Sequence, residues 1–470
     1  MTHENERCRG KRPLARVRFS IAISGRPAGR PYNIGYFRDR KVEEMPEIIA
    51  LLGTLDTKGD QIEYLKQQIE NRGLETAVID VGVLGKTPFH PTFSREQVAM
   101  AAGSSLNDAV ALHDGRAALK LMAKGAFEIV RSLCAEGKLA GLIAVGGSQG
   151  TALALEVIKA VPLGIPKFLV TTVAYSQLIT PDMVSGDDVM MIPWTAGLWG
   201  LNSMSRRVME AAAGAVAGAA AACAQSKESP KKVAGITSLG SSINKYMHHL
   251  KPALEDRGYE VAVFHVTGMS GRMFERAIAD GLIAVSLDLA AGIELLNTIT
   301  DGACSAGVHR LEAACRMGIP QIVSPGAIEA FHWGMDRPFP DRYKDRPRHQ
   351  HSELILTVRS RVEEIRAASR LMAEKLNAAK GPTAVVLPMR GMIGTGDDPG
   401  QHAHMPPLEG LAKFREDLMS ITLPGMKAFR ETLIGYLKPD VQVETLNVGF
   451  NDPPYAETVL KLFDEMIARS

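Results

Sequence analysis

IIALLGTLDTKGDQIEYLKQQIENRG, residues 48–73, reads as a buried strand, a glycine-bounded turn and an amphipathic helix in direct succession. Ile48 to Gly53 is apolar throughout, as a strand covered on both faces must be. Ile62, Leu65 and Ile69 recur at helical spacing over Asp60 to Arg72, and Gly73 supplies the stop. The rhythm continues outward from this unit. Thr76 to Val81, Gly141 to Gly146 and Lys167 to Thr172 are further apolar strands, and Leu112 to Glu136 and Leu201 to Ala224 are helices. QSKESPKK, residues 225–232, interrupts it with Ser, Lys, Glu and Pro, a linker composition. Strands then restart at Val233 to Leu239, Glu260 to Val266, Leu282 to Leu287, Gln321 to Val323 and Ala384 to Leu387. Phe331 to Gln350, rich in Pro, Arg, Asp and His, reads as a functional or interdomain loop. Strands alternating with helices specify an α/β protein. The expected architecture is two tandem Rossmann-like open-sheet domains, 46–226 and 227–470, with a ligand cleft between them.

The chain has 470 residues, 46% hydrophobic and 23% charged, which excludes a collagen, a coiled-coil rod or a wholly disordered chain. Its formal net charge of +2 excludes a strongly basic nucleic-acid binder. Residues 1–45 hold 11 Lys/Arg against 5 Asp/Glu, without strand or helix period, and are expected to be a disordered, dispensable basic extension. Cys8, Cys134, Cys223, Cys304 and Cys315 are odd in number and contain no C-x-x-C pair, which points to a reducing cytoplasm and away from a disulfide framework or zinc ribbon. The most apolar run, Ala211 to Ala224, is shorter than the roughly 20 residues that span a bilayer, so no membrane association is expected.

Four glycine turns follow strands and open helices, where backbone amides face outward and anions bind. In the first, Gly53, Thr54, Asp56, Thr57, Lys58 and Gly59 combine amides, hydroxyls and an ammonium; it is not a Walker A loop, since G-x-x-x-x-G-K-[ST] is absent. The second holds Gly146, Gly147, Ser148, Gly150 and Thr151, and the third Thr267, Gly268, Gly271 and the guanidinium of Arg272. The fourth is Ser324 to Ala327, with Ser324 and Gly326 as binding candidates. Together they predict a small anionic ligand held in the cleft. His349 with His351, and His402 with His404 near Asp397 and Asp398, resemble metal pairs, but isolated His-x-His pairs in polar loops are insufficient, so no metal site is assigned on protein side chains alone. No cysteine sits on a glycine turn beside a base, and neither G-x-S-x-G nor H-E-x-x-H occurs. VMMIPWTAGLWG, with Met190, Met191, Trp194 and Trp199, suits either an apolar pocket or a core.

GTLDTKG at 53–59, GGSQGT at 146–151, PKFLVTTVA at 166–174, TGMSGR at 267–272 and GVHRLEAACRMGIPQIVSPGA at 307–327 resemble the Tm-1-like ATP-binding proteins, the UPF0261 family. The resemblance runs from about Ile48 to the C-terminus. It implies two Rossmann-like subdomains, a homodimer, and binding of ATP with magnesium as cofactors. It also implies a TIM-barrel companion resembling phosphoenolpyruvate hydrolases, fused in the plant member and separate in bacteria. Gln149 and the segment Asp288-Leu289-Ala290-Ala291-Gly292 depart from the family pattern, the latter replacing a hydroxyl-rich loop by an apolar one.

Three functions follow as expectations. The first is a cytoplasmic nucleotide-binding protein whose turns hold ATP-like phosphates, Lys58 and Arg272 neutralising charge. The second is an enzyme, or subunit of one, acting on a small organic acid with a TIM-barrel partner, with Asp56, His265 and His351 as acid and base groups. The third, by fold analogy, is a sugar-nucleotide enzyme.

Overall fold

The computed structural model describes residues 48–194, 199–225, 231–240, 246–391 and 411–469. All fall within one compact unit, Asn33–Ser470. The basic extension, most of the linker, and Asp397, Asp398, His402 and His404 lie outside the described residues.

In the first half the chain runs β1 Ile48–Gly53, α1 Leu55–Glu70, β2 Glu75–Asp80, α2 Arg95–Ala101, α3 Leu106–Ala111, α4 Gly115–Ala135, β3 Leu139–Gly146, α5 Ser148–Ile158, β4 Lys167–Thr171, the single turn α6 Pro181–Val184, β5 Met190–Pro193 and α7 Ser203–Gln225. The five strands are parallel in the order β2-β1-β3-β4-β5. All eight residues of β3 are buried, which explains its unbroken apolar reading. Ile62, Leu65 and Ile69 turn α1 onto the sheet, each burial contributing roughly 1.5–3 kcal/mol, and Gly73 at φ +85° releases the chain. α7 is long and apolar enough to cross a bilayer by length and composition, yet it buries Met209, Ala212, Ala213 and Val216 as a core helix.

The second half repeats the wiring: β6 Val233–Ser238, α8 Tyr246–Asp256, β7 Glu260–His265, α9 Met269–Ala279, β8 Val285–Asp288, α10 Ala291–Thr300, α11 Ala313–Met317, β9 Gln321–Val323, β10 Ala330–Gly334, β11 Arg348–Gln350, β12 Ile355–Arg359, α12 Val362–Leu376, β13 Thr383–Pro388, α13 Leu411–Tyr436, β14 Gln442–Leu446 and α14 Pro453–Arg469. Six of these strands form a parallel sheet, β14-β13-β9-β8-β6-β7. The protein is therefore α/β, with two tandem Rossmann-like open-sheet domains. Residues 331–350 are more than a loop. β10, β12 and β11 build a small antiparallel sheet, and its Phe331 and Trp333, with Tyr343 of the turn between β10 and β11, pack against α12 and α13. The aromatic anchors, diluted by Pro, Arg and Asp, hid the strand period.

α9 carries the contact between the domains. Arg276 donates to the carbonyls of Lys159 and Val161, at 3.0 and 2.9 Å, satisfying acceptors left over where α5 ends. Leu163 donates its amide to Asp280 at 2.9 Å, and Arg276 bonds the same carboxylate at 3.0 Å. Gly186, at φ +80°, lies on the backbone of Arg272, where a Cβ would come within 2.5 Å. Asp187 is sealed at this seam, 3.3 Å from Arg276, and neither of its oxygens has a hydrogen-bond partner. Burial pushes its carboxyl up to about 6, against the pull of Arg276 and Lys167, with Asp188 and Asp280 adding to the rise.

A raised folded-state pKa contributes stability that is complete below the ordinary value of 3.8 and is lost as pH rises through about 6. Asp187→Asn should therefore gain melting temperature relative to the parent between about pH 4 and about pH 7. A difference that stays constant across that window would show that the carboxyl does not titrate there.

Candidate functional site

In a parallel sheet ordered 2-1-3-4-5 the chain reverses direction between β1 and β3, and ligands bind outside the carboxyl ends of those two strands. Gly53 ends β1 and Gly146 ends β3, so the structure brings the first two glycine turns side by side. Gly146 lets α5 approach its strand, since a Cβ there would meet Gly150 at 2.8 Å. Gly147 is the N-cap of α5 and has no side chain to cover it. Helix geometry leaves the amides of Ser148, Gln149 and Gly150 without intrahelical acceptors, facing the mouth. Thr151 faces inward and shares a 2.5 Å hydrogen bond with Thr171.

The turn at 53–59 is built differently from the expected amide cradle. Thr57 and Lys58 donate their amides to the Thr54 carbonyl, and Leu55 donates its own to Asp80 at 3.1 Å. What this turn offers outward is side chains. The hydroxyls of Thr54 and Thr57 bond each other at 2.7 Å, and Lys58 sits at a break in the helix with φ −128°. Its ammonium lies 3.2 Å from the Thr57 carbonyl and 5.7 Å from the Trp194 ring centroid. Burial lowers its pKa, with Asp56 opposing. The Oδ1 of Asp56 is buried with no hydrogen-bond partner. Burial and then the Asp80 charge push the Asp56 carboxyl upward, while Arg95 pulls it back. Asp80 is itself fully buried, held by the amides of Leu55 and Gly82 and by Arg95 at 3.5 Å. Asp80 and Arg95 escaped the sequence reading, although a carboxylate closing an apolar strand was a visible signal. Gly59 makes room for the Pro88 ring, which a Cβ would meet at 2.3 Å. Trp194 is buried beneath this mouth, whereas Trp199 is exposed and Met190 and Met191 lie in β5.

At the second mouth, between β6 and β8, the centre is occupied by protein. Arg310 is fully buried and bonds three carboxylates: Asp288 through both oxygens, Glu294 at 2.6 Å and Glu275 at 3.1 Å. Glu275 also accepts from the amides of Leu311, Glu312 and Ala313. Burial pushes the carboxyls of Glu275 and Glu294 up, against the pull of Arg310. Gly268 donates its amide to Glu294 at 2.8 Å, and a Cβ at Gly271 would fall 2.0 Å from the same carboxylate. Gly271 thus admits Glu294, and Gly268 makes room for the Ser305 carbonyl, which a Cβ would meet at 3.0 Å. Thr267 bonds the His265 carbonyl, and Ser324 donates to the Val386 carbonyl at 2.7 Å. Gly326 is buried against Leu289, whose oxygen a Cβ would meet at 2.6 Å. Arg272 turns away to Asp182 of the first domain, at 2.6 Å. A cleft of about 590 Å3 lies between the domains, and of the expected binding residues Arg272 alone lines it.

His351 lies beside His332, a histidine that the sequence reading missed, and the charge of His265 is felt there as well. The rings of His332 and His351 are 6.3 Å apart. Burial, then His351 and His265, lower His332 to about 4, and its Nδ1 is buried without a hydrogen-bond partner. His349 is also lowered, by burial and by His351. Among the described residues, no group of three or more His, Cys, Asp or Glu side chains is arranged to hold a metal. Burial lifts the thiols of Cys134 and Cys304 to about 12, which removes them as nucleophiles at neutral pH.

Family models described as the N-terminal and C-terminal domains of an uncharacterised protein family, UPF0261, match residues 47–225 and 231–467. A UPF0261 protein of Brucella suis is 39% identical over 421 residues, covering 89% of this chain and 96% of the relative. One of Clostridium tetani is 35% identical over 426 residues, covering 90% of this chain and 100% of the relative. The tomato ToMV resistance protein Tm-1(GCR237) is 26% identical over 447 residues, covering 90% of this chain and 56% of its own length.

Removing the guanidinium at the second mouth would strand three buried carboxylates. Arg310→Met should cost roughly 3–5 kcal/mol in urea unfolding, with the larger loss at the alkaline end because raised carboxyls ionise as pH rises. A loss below about 1 kcal/mol would show that the carboxyls are hydrated or neutral without it.

Proposed function

The chain belongs to the UPF0261 family, and on that premise we propose that it binds a nucleoside polyphosphate, ATP with magnesium, at the carboxyl-edge mouth of its first sheet. The observation that carries this reading is the N-terminus of α5, with a bare glycine cap, opening at the strand reversal opposite Lys58. Phosphate oxygens accept from the amides of Ser148, Gln149 and Gly150, and the Lys58 ammonium offsets their charge. A carboxylate so close to phosphates would repel them unless a cation intervenes. Asp56, with an oxygen that has no partner, fits magnesium, which takes one or two carboxylates and completes its shell with phosphate and water. The ToMV resistance protein is named for resistance alone, so the choice of ATP rests on the resemblance of the glycine turns.

A homodimer in the cytoplasm and a TIM-barrel companion belong to the same reading. Support for the dimer comes from the exposed small residues of α7, such as Ala211 and Ala215, and for the compartment from the free thiols among the described residues. The second reading, an enzyme or subunit acting on an organic acid, is favoured by His332. A buried imidazole with His351 6.3 Å away, and pushed toward its neutral form, is equipped to accept a proton.

Calorimetry with ATP and magnesium should show saturable binding that weakens by roughly 1.5–3 kcal/mol in Lys58→Ala. Asp56→Asn should remove most of the magnesium dependence. If ATP, ADP and small phosphorylated or carboxylated acids all fail to bind, the reading is wrong; an unchanged affinity in Lys58→Ala reduces that residue to a turn former.

A further inference from the structure

We infer that the cleft between the two domains is a second ligand site, independent of the nucleotide reading, for a small polyanion with a hydroxyl-bearing body. Its volume of about 590 Å3 falls within the range of small-molecule pockets. Cationic groups reach it from both sides: Lys159 from the first domain, and Arg272, Arg276 and Arg316 from the second, with the His309 imidazole beside them.

The acidic groups at the cleft do not cancel that charge. Glu275 faces it but already accepts from three backbone amides and from Arg310. Arg276 is engaged by Asp187, Asp280 and two carbonyls, so it shapes the wall. Asp182 holds Arg272 from a largely exposed position, Glu156 holds Lys159 from another, and Glu312 bonds both His309 and Arg316 at the rim. Exposed ion pairs contribute about 0–1 kcal/mol, so an incoming anion exchanges the Lys159 and Arg316 pairs at little cost, whereas the Asp182 pair, held by a largely buried Arg272, costs more to displace.

Arg272 marks where the anion sits. Its side chain is 12% exposed, one guanidinium nitrogen pairs with Asp182, and another reaches the Ser305 carbonyl only at 3.5 Å. Its Nε is buried with no hydrogen-bond partner, so the guanidinium is under-satisfied as it stands. The chain makes room for this guanidinium. Gly307, at φ +80°, lies where a Cβ would come 2.8 Å from Nη1. The remaining lining identifies the ligand body. Ser185, Thr298 and Ser305 line it, the last two with hydroxyls bonded to each other at 2.8 Å, and no Phe, Tyr or Trp ring does, so the polar lining suits a hydroxylated body better than a broad aromatic one. A polycarboxylate and a sugar phosphate share the chemistry that fits.

Calorimetry on the full chain with inorganic phosphate, citrate and glucose 6-phosphate tests this. At least one organic probe should bind one per chain, at least about tenfold more weakly in Arg272→Gln and in the exposed-site variant Arg316→Gln. Binding should persist in Lys58→Ala and in the presence of saturating ATP with magnesium. Citrate alone binding identifies a polycarboxylate site, and glucose 6-phosphate alone a phosphate site. The inference is overturned if none of the three binds at about 10 mM, if Arg316→Gln and Arg272→Gln leave affinity unchanged, or if Lys58→Ala abolishes it. Loss of ATP binding alone, with probe binding intact, would count against the nucleotide reading only.

Discussion

Arg310 is a cation sealed from water that cannot shed its charge, and the carboxyl edge of the second sheet is arranged around it. Asp288 closes β8 beneath the guanidinium, and Thr237 of β6 bonds that carboxylate at 2.7 Å while accepting the amide of Ala290. Glu294 reaches in from α10, and Gly271 in the first turn of α9 gives way to it. Glu275 reaches in from α9 and ties down the start of α11. Three elements, β8, α9 and α10, are thereby tied to one side chain, and β6 and α11 are tied to them in turn.

That orientation extends to the domain boundary. Phe274, Ala277 and Ile278 face inward from α9, which presents Arg272 and Arg276, four residues apart, on the side toward the first domain. The face that grips the loop after α5 is the face that lines the cleft. Substituting Arg310 would thus disturb the seam as well as the core, whereas substituting Arg316, exposed at the rim, leaves the network in place.

The fold was legible because its signal is periodic: β1 and α1 can be read directly from residues 48–73. The site was only half legible. A glycine after a strand says that backbone must approach something, without saying what. At Gly147 the space is open to a helix end; at Gly59 it holds Pro88, at Gly271 Glu294, and at Gly326 the Leu289 carbonyl. Those neighbours come from elsewhere in the chain, and no local pattern announces them. The approach of His332 to His351 depends on the antiparallel pairing of β10 and β11 with β12, which the composition of 331–350 concealed.

The two domains share one strand order but differ at the strand reversal. In the first, the helix after β3 opens on a bare glycine with a lysine across the mouth. In the second, the helix after β8 opens on Ala290 and Ala291, both fully buried, and the amide of Ile293 goes to Gly326. The apolar segment after Asp288 thus removes hydroxyls from a mouth whose centre a protein guanidinium already fills. Duplicated wiring therefore does not duplicate chemistry. An anion at the second mouth would have to compete with three carboxylates for Arg310, whereas at the first it meets helix amides that make no bonds within their own helix. Charge, more than strand order, directs the phosphate reading to the first domain.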